Sequence, residues 1–358
     1  MSEPPSESAT VATEPSADWD ELAVDRPGGH VYQSRAWAEH RQGSGWRPLF
    51  VSTSALRILA LTRPWPLVGG ASAYLPRGPA PVVPADELGG GLWAATKTLA
   101  GEGIDVVAID PEVPADDAAW RSWLRRAGYE PIDEIQPSRH RLTLPLGPGA
   151  ADDDVFTGIA VVRHDARGAD PGGPGDGFVG PAEEPALALD RFYDLLAETG
   201  ERKDFSFGPR SEFVGWWTLA LAAGHLVYLE ARDGDASGEL LAGLVLYRHG
   251  QRLSTVHSGD PASARETHPG ALHLLRWRAI QLAIREGCIE MDLGGVDVPG
   301  ARREPRESEP MHGLYQHKLS FGARWLELAG AHERVIRPNR YRAGRLVARV
   351  RRLVPLGA

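Results

Sequence analysis

The pattern of apolar and polar residues predicts an ordered succession of elements in the second half of the chain. Leu189, Phe192, Tyr193 and Leu196 recur at helical spacing before Gly200, which indicates an amphipathic helix that ends at the glycine. Short polar connections separate the runs that follow, as is typical of hairpins. The further elements predicted are a helix over 211–224, strands over 225–232, 240–248 and 252–258, a helix over 269–287 and a strand over 288–295.

The first half repeats a similar order more loosely, so the two halves look like structural duplicates. Gly, Pro and Asp are concentrated between them, which marks a connector. The elements predicted are helices over 32–42, 85–103 and 115–128 and strands over 46–53, 57–65, 104–111 and 139–146. The predicted domains are a disordered tail at 1–18, a first domain at 19–150 with about 327–345, a linker at 151–185, a second domain at 186–326 and a basic C-terminal segment at 334–358.

Composition supports a folded two-domain protein. A chain of 358 residues is long for one core, and 42% hydrophobic with 24% charged residues is ordinary for a globular protein. No apolar run reaches the length of a membrane span, and the N-terminus lacks the pattern of a signal peptide. The single cysteine, Cys288, excludes internal disulfides and indicates a packed thiol. These features predict a cytoplasmic protein.

Charge is unevenly distributed along the chain. The net charge of −9 argues against general binding of nucleic acid, yet residues 334–358 contain eight arginines and no carboxylate. Apolar residues interleave with these arginines, which predicts a basic amphipathic segment. Such a segment suits an anionic membrane surface or a phosphate-rich ligand, and it is equally compatible with a merely solvated helix.

Lysine is scarce, which draws attention to the places where it occurs. Only Lys97, Lys203 and Lys318 are found among 39 basic residues, and the others are arginine. A compact ammonium differs from a planar guanidinium in size and geometry. Lys318, in the stretch GLYQHKLSFG, is therefore a candidate functional residue, with chance as the alternative.

The element order resembles the acetyltransferase-like fold, here twice in tandem. The predicted class is α/β (α+β), with two tandem domains of this kind and mixed, largely antiparallel sheets. The loop before the helix at 269–287 lacks the spaced glycines with which bare amides hold a pyrophosphate, which argues against acetyl-CoA.

Six motifs in order resemble the Fem family, the tRNA-dependent aminoacyltransferases that attach bridge amino acids to peptidoglycan precursors. They extend over about 290 residues. The motifs are HVYQSRAWAEHRQGSGWRP (30–48), YLPRGPA (74–80), VVAIDPEVP (106–114), RFYDLLAETGERKDFSFGPRSEF (191–213), MDLGGV (291–296) and GLYQHKLSFG (313–322).

The resemblance implies transfer of an amino acid from aminoacyl-tRNA to the stem-peptide amine of a lipid-linked or UDP-linked muropeptide. No enzyme nucleophile is needed because the ester is already activated. Lys318 matches the family's lysine at the reaction site, where an ammonium can stabilise the developing oxyanion. Asp110 matches a carboxylate beside the acceptor peptide, and it could orient the amine or accept its proton; a helix-capping role is the alternative.

The resemblance also implies a set of substrate-binding residues. Arg210, with Arg202 as a nearby competitor, matches an arginine that contacts precursor phosphates, for which bidentate pairing gives a physical reason. Arg41 is a second candidate for these phosphates. Trp37 and Trp46 are expected chiefly in the core, although Trp37 stays a binding candidate, and Arg77 could serve either purpose.

The chain departs from the family's pattern at three places. His317 replaces the aromatic residue that precedes the lysine and is thought to stack on the tRNA terminus. Thr255 and His257 stand where tyrosines are common, and His257 and His317 are predicted as substrate-binding residues at these positions. A basic helix that usually follows the first domain is missing, and Arg163 and Arg167 are a poor substitute for it.

The expected partners are aminoacyl-tRNA as co-substrate and the muropeptide precursor, with peripheral contact at the inner membrane face possible and a monomeric state favoured. No cofactor and no metal site are expected, since the 12 histidines are scattered without ligand spacing. Two other functions stay open: tRNA-dependent transfer to a peptide natural product or antibiotic intermediate, and an inactive homologue that only binds the precursor.

Overall fold

A computed structural model describes residues 8–81, 83–136, 139–146, 159–166, 178–181, 183–203, 208–296 and 303–353. These residues form two seven-stranded mixed sheets with helices, which confirms the predicted α/β class. The chain divides into two units. Unit 1 comprises 1–141, 295–311 and 326–358, and unit 2 comprises 142–294 and 312–325.

The sheet of unit 1 is assembled from both ends of the chain. Its strand order is β1-β2-β3-β4-β5-β14-β6, and the β4–β5 pair is parallel. The strands are β1 (Thr10–Ala12), β2 (Arg47–Ser52), β3 (Arg57–Pro64), β4 (Ala71–Leu75), β5 (Ile104–Ile109), β6 (Glu130–Pro131) and β14 (His332–Val335). The helices are α1 (Arg35–Gly43), α2 (Ala85–Gly101), α3 (Ala118–Ala127) and α9 (Pro338–Leu353).

Local sequence explains where the helices of unit 1 begin and end. The Ser34 hydroxyl accepts a hydrogen bond from the Trp37 amide at 3.0 Å, and Asp117 does the same for the Trp120 amide at 2.8 Å. Such N-caps satisfy amides that have no acceptor inside the helix. Gly128 ends α3 in the left-handed region at φ 72°.

The sheet of unit 2 has the order β13-β7-β12-β11-β10-β9-β8, with β11 and β12 parallel. The strands are β7 (His140–Pro145), β8 (Ile159–Asp165), β9 (Leu226–Asp233), β10 (Leu240–His249), β11 (Arg252–Gly259), β12 (Glu290–Asp292) and β13 (Arg324–Glu327). The helices are α4 (Pro185–Lys203), α5 (Arg210–Ala222), α6 (Ala262–Thr267), α7 (Ala271–Arg285) and α8 (His312–Leu319).

The prediction of a disordered tail at 1–18 is wrong for the part that the structure describes. Thr10, Val11 and Ala12 pair antiparallel with Ser52, Val51 and Phe50. Val11 also packs against the apolar core of unit 1. The Thr-Val-Ala triplet is short and surrounded by polar residues, so its composition hides a strand that forms only when the edge of β2 is available.

The predicted linker at 151–185 also contains a strand. Ile159–Asp165 pairs antiparallel with β9, and Val161 and Val162 are buried. The β-branched run in this segment suits a strand, but its position between Gly- and Asp-rich stretches concealed it. Residues 147–158 and 167–177, which form much of the predicted linker, lie outside the described residues.

Strand β7 was predicted as part of a first domain that continues to residue 150. In the structure, Thr143, Leu144 and Pro145 pair with Asp292, Met291 and Glu290, so the strand extends the second sheet. The division between the units falls between Arg141 and Leu142. Sequence pattern predicted the strand itself but could not reveal its partner, since strand pairing depends on residues far away in the chain.

Candidate functional site

Unit 1 contains a cavity of about 840 Å³ whose lining combines aromatic residues with charged groups of both signs. Trp37 and Arg41 come from α1, and Tyr74 comes from β4. Asp133 and Glu333 also line it, so the cavity suits an organic ligand that carries several polar or charged groups. The lining residues with the clearest binding chemistry are Trp37, Arg41, Trp46, Tyr74, Gln136 and Arg345.

Arg41 lies between two indole rings of this cavity. Its guanidinium carbon is 5.4 Å from the Trp37 ring centroid and 5.7 Å from that of Trp46, within the range of a cation–π contact. The Trp37 ring also stacks on Tyr32 with centroids 4.4 Å apart. Trp37 is therefore a lining residue, in addition to the core role expected for it.

Arg345 brings the predicted basic C-terminal segment to the same cavity. It lies on α9, and its guanidinium donates to the Tyr341 hydroxyl at 2.8 Å. Tyr341 and Arg345 both line the cavity. The cavity thus has two arginines, Arg41 and Arg345, which can pair with phosphate oxygens.

Asp110 directly follows β5 and is 1% exposed. One carboxylate oxygen accepts from the Tyr74 hydroxyl at 2.9 Å, and the other accepts from the Arg77 amide at 2.6 Å. The Arg77 side chain lies 3.9 Å from the carboxylate, and Gln136 donates to the Tyr74 hydroxyl at 3.1 Å. Tyr74 and Gln136 line the cavity, whereas Asp110 and Arg77 are not among its lining residues.

Burial raises the pKa of Asp110 to about 6, against the opposing effect of Arg77 and the two hydrogen bonds. The same burial and the neighbouring carboxylate raise the pKa of Tyr74 well above its ordinary value. Near neutral pH, Asp110 is therefore charged and accepts from a neutral Tyr74. This arrangement can fix the orientation of the Tyr74 hydroxyl, whose oxygen can accept a hydrogen bond from a ligand.

Lys318 lies on α8 in unit 2 and is 4% exposed. Its Nζ donates to the Gly294 carbonyl oxygen at 3.0 Å, and that oxygen also accepts from the Leu142 amide at 3.3 Å. Gly294 has φ 76°, and its amide donates to Asp292 at 2.8 Å. The predicted MDLGG and HK motifs therefore meet, because the glycine turn presents its carbonyl to the ammonium.

His317 precedes Lys318 and lines a separate cavity of about 590 Å³ in unit 2. Its Nε2 lies 2.8 Å from an Arg276 guanidinium nitrogen, which can only donate, so Nε2 is the acceptor. Burial, followed by Arg276, His273 and Lys318, lowers the pKa of His317 to about 4. His317 contacts Phe321 edge to face at 5.3 Å. The imidazole is therefore neutral at physiological pH.

The other two predicted residues of unit 2 occupy different surroundings. His257 packs against Phe213 and Trp217 with centroids 5.5 and 5.6 Å away, and burial lowers its pKa to about 4. Arg210, at the start of α5, forms ion pairs with Asp190 and Asp194.

Arg210 is less available to a phosphate than the sequence suggested. Its side chain is 41% exposed, but the hydrogen bonds that it donates to Asp194 and Asp190 raise its pKa. Its guanidinium also lies 4.8 Å from the Tyr193 ring centroid. A phosphate would have to compete with two carboxylates there. The side chain of Arg202, the proposed competitor, lies outside the description.

The predicted residues thus fall into two groups. In unit 1, Trp37 and Arg41 line the cavity while Asp110 and Arg77 support Tyr74 behind it. In unit 2, Lys318 and His317 are neighbours on α8. Sequence reasoning missed several residues that share these surroundings: Tyr74, Gln136, Arg345, His273 and Arg276. Two of them had a signal in the sequence, since Arg345 lies in the predicted basic segment and Tyr74 is the first residue of the motif YLPRGPA.

The fold of this chain is similar to that of known proteins. Residues 167–305 match the family model of the acetyltransferase (GNAT) domain. The crystal structure of FemX superposes with a TM-score of 0.71 and 16% sequence identity, covering 93% of this chain and 99% of that chain. The fold is that of FemX. The Fem-like tandem acetyltransferase fold expected from the motifs is therefore confirmed as a fold.

Two further solved structures show weaker similarity to the FemX-like chain. L-PGS from Bacillus licheniformis has a TM-score of 0.44 and 11% identity, covering 84% of this chain and 89% of that chain. A tandem GNAT protein from the clavulanic acid biosynthesis pathway, solved without AcCoA, has a TM-score of 0.44 and 13% identity, covering 92% and 98%. A search of curated protein sequences found no match.

The described residues contain no group of three or more His, Cys, Asp or Glu placed to hold a metal ion. In the same part of the chain, no helix has both the length and the apolar character needed to cross a bilayer. Burial raises the pKa of the Cys288 thiol to about 11, so this cysteine is a poor nucleophile.

Proposed function

We propose that this FemX-like protein is an aminoacyltransferase that moves an amino acid from aminoacyl-tRNA to the stem-peptide amine of a peptidoglycan precursor. The observation that carries the proposal is the hydrogen bond from the Lys318 Nζ to the Gly294 carbonyl at 3.0 Å, which joins two of the motifs that resemble the Fem family. Lys318 is 4% exposed and is not among the lining residues of either cavity described above. The FemX-like fold supports the same reaction class.

In the proposed reaction the amine nitrogen attacks the carbonyl carbon of the tRNA ester. A carbon–nitrogen bond forms and the bond to the ribose oxygen breaks. The nitrogen loses a proton and the ribose oxygen gains one. The Lys318 ammonium stabilises the negative oxygen that develops on the carbonyl, an effect of about 3 kcal/mol for one well-placed donor.

The cavity of unit 1 supports the proposal as a precursor site. Arg41 and Arg345 provide cations for phosphate or carboxylate groups, and Trp37 and Trp46 provide apolar surface. Tyr74, held by Asp110 at 2.9 Å, provides an acceptor for an amine N–H. Asp110 is a positioning residue in this proposal, since it acts through Tyr74.

The decisive experiment follows labelled amino acid from charged tRNA to the precursor. We expect RNase-sensitive transfer by the wild-type protein. Lys318→Ala reduces the transfer rate by about 100-fold or more because the oxyanion loses its donor. Lys318→Arg is also strongly impaired, since the larger, planar guanidinium differs in size and geometry from the buried ammonium that donates to the Gly294 carbonyl at 3.0 Å.

Lys97→Ala is the matched control, because Lys97 is exposed on α2. It is expected to transfer label at the wild-type rate, and circular dichroism checks that all three variants are folded. Near-normal transfer by folded Lys318→Ala removes the lysine from the mechanism. Transfer only to a different peptide amine supports the natural-product alternative, and precursor binding without any transfer supports an inactive homologue.

The cellular setting is part of the same proposal. A cytoplasmic location and peripheral contact with the membrane stay predictions, as does the expectation of no cofactor beyond aminoacyl-tRNA. Leu346 of α9 is 64% exposed, as an apolar residue of a surface-binding helix would be. Measuring sedimentation with anionic vesicles, with Leu346→Glu as the comparison, tests the membrane contact.

A further inference from the structure

The charged residues that line the cavity of unit 1 balance one another. Arg41 and Arg345 are cations, and Asp133 and Glu333 are anions. A lining of one sign favours a ligand of the opposite sign, whereas a lining of both signs favours a ligand that carries both charges. The arrangement of Glu333 and Arg345 shows how close together those two charges have to be.

Glu333 and Arg345 meet at the hydroxyl group of Tyr341. The hydroxyl donates to a Glu333 carboxylate oxygen at 2.6 Å and accepts from the Arg345 guanidinium at 2.8 Å. Burial and the hydrogen bond to Glu333 raise the pKa of Tyr341, so the phenol keeps the proton that it donates. The two charged groups therefore lie within two hydrogen-bond lengths of each other, on either side of a neutral oxygen.

Both charged groups keep bonding capacity that the described residues do not use. Glu333 is half-buried and only its Oε1 accepts a hydrogen bond, while Arg345 is exposed and donates through one nitrogen. Within the described part of the chain, neither of them forms an ion pair. Glu130 of β6 lies directly opposite Glu333 of β14, where two like charges repel and a cation would be stabilising.

An amino acid group in its dipolar form matches this pair. Its ammonium and carboxylate are attached to the same carbon atom, so they are as close together as Glu333 and Arg345. The ammonium can donate to the free Glu333 oxygen, and the carboxylate can accept from the Arg345 guanidinium. A bare amine would leave Arg345 unpaired, and a bare carboxylate would be repelled by Glu333.

We propose that Glu333 and Arg345 form a subsite for a ligand group that carries an ammonium and a carboxylate on one carbon atom. If the ligand is the stem peptide, a step that rests on the proposed function, its acceptor residue ends in such a dipolar group, as diaminopimelate does and lysine does not. The subsite then selects the precursor by the extra carboxylate beside the amine. Tyr341 holds the two charged side chains at the spacing that this group needs.

The test measures binding of three acetylated tripeptide amides to the full chain by calorimetry at matched ionic strength. They differ only in the last residue, which is diaminopimelate, lysine or aminopimelate. The side chains thus end in an amine with a carboxylate, in an amine alone or in a carboxylate alone. We expect the diaminopimelate peptide to bind at least about tenfold more tightly than either of the others, because only this peptide pairs with both residues.

Two substitutions assign the preference to the subsite. Arg345→Met lowers the affinity for the diaminopimelate peptide to that for the lysine peptide, and Glu333→Gln lowers it to that for the aminopimelate peptide. Arg342→Met, exposed on the same helix, and Glu307→Gln, exposed in unit 1, are the matched controls. Neither control residue lines the cavity, and both variants retain the wild-type preference.

Three results overturn the proposal: none of the peptides binds, the wild type binds all three equally, or Arg345→Met and Glu333→Gln keep its preference. Should these two variants fail to fold, nitrogen NMR of the Arg345 Nε in the wild-type protein takes their place. A saturating diaminopimelate peptide shifts that resonance under the proposal, and a saturating lysine peptide does not. Identical spectra with the two peptides contradict the subsite.

The transfer assay separates this subsite from the function on which its ligand rests. A binding preference for the diaminopimelate peptide without transfer from aminoacyl-tRNA to any precursor supports the subsite and contradicts the aminoacyltransferase. Equal transfer to precursors that contain lysine or diaminopimelate, together with equal binding of the peptides, supports the aminoacyltransferase and contradicts the subsite.

Discussion

At the scale of single residues, the two units keep ionisable groups buried in contrasting ways. The Asp110 carboxylate has two hydrogen-bond donors and a nearby guanidinium, yet its pKa is still raised to about 6. The Lys318 ammonium donates to a backbone carbonyl. Arg276 has neutral partners only, among those described. Perturbed or incompletely compensated charges are concentrated at functional sites, which is why Asp110 and Lys318 have roles in the proposed function.

The titration of Asp110 has a direct consequence for activity. Above pH 6 the carboxylate is charged and accepts from Tyr74, and below pH 6 it is protonated and this interaction weakens. We therefore expect kcat/KM for transfer to fall as the pH decreases through about 6. Asp110→Asn abolishes this limb of the profile and lowers kcat/KM at pH 7.5 by about tenfold to hundredfold.

Asp133→Asn provides the comparison, because Asp133 lines the same cavity but lies on the exposed surface. Its pH profile is expected to match the wild type. The acceptor amine also titrates, so the profiles are compared between variants rather than read alone. An Asp110→Asn profile that keeps the wild-type limb near pH 6 contradicts the positioning role.

Sequence reasoning found residues with a local signal and missed those defined by packing. Lys318 was recognised by the scarcity of lysine, and Arg41 by the resemblance of its motif to the Fem family. Nothing local distinguishes Arg276 from the other arginines, since its lack of a carboxylate is a property of the folded neighbourhood. Tyr74 likewise gains its role only because β4 and β5 bring it next to Asp110.

At the scale of secondary-structure elements, hydrophobic periodicity located the long helices and the hairpin strands. The helix predicted over 211–224 is α5, and the strands predicted over 240–248 and 252–258 are β10 and β11. Periodicity failed for the short edge strands β1 and β8, whose stability comes from pairing rather than from their own pattern. Edge strands of three to seven residues provide few alternating positions to recognise.

The turn at Gly294 is the element that positions Lys318, and it can be tested with a matched pair of glycines. Gly294 and Gly287 have φ 76° and 72°, so alanine introduces similar backbone strain of about 1–2 kcal/mol at both. A Cβ at Gly294 would lie 3.1 Å from the Thr255 carbonyl and 3.5 Å from the Lys318 Nζ, whereas a Cβ at Gly287 meets nothing within 4 Å.

We accordingly expect both alanine variants to lose stability in urea unfolding, with the larger loss for Gly294→Ala. Their activities diverge further: Gly287→Ala transfers label at close to the wild-type rate, and Gly294→Ala is impaired at least about tenfold because Lys318 is displaced. Equal activity in the two variants would show that the turn does not position the lysine.

At the scale of the whole molecule, each unit is built from stretches of the chain that are not consecutive in sequence. Unit 1 takes 1–141, 295–311 and 326–358, so the chain leaves it and returns twice. Residues of about 327–345 were predicted to belong to the first domain, and they include β14 of the unit 1 sheet. Its insertion between β5 and β6 could not be predicted, because the strand order of a sheet is set by packing over the whole unit rather than by local sequence.

The returning segment completes the core of unit 1, so an N-terminal fragment tests the architecture. Fragment 8–141 lacks β14, whose four residues His332–Val335 pair with Ile109–Val106 of β5. It also lacks both arginines that donate to the fully buried Asp105: Arg340 at 2.6 and 3.0 Å and Arg337 at 3.4 Å. Losing both leaves a buried carboxylate without a cation, at a cost of about 3–5 kcal/mol.

We therefore expect fragment 8–141 to show no cooperative urea transition by circular dichroism and to expose the edge of β5. The same fragment joined to residues 326–353 by a Gly/Ser linker regains both the strand and Arg340, and it unfolds cooperatively. Arg340→Leu in the joined fragment removes one of the two cations that contact Asp105, so the stability of this variant should fall between those of the two fragments. If fragment 8–141 alone unfolds as cooperatively as the joined one, the C-terminal return is an addition to a core that was already complete.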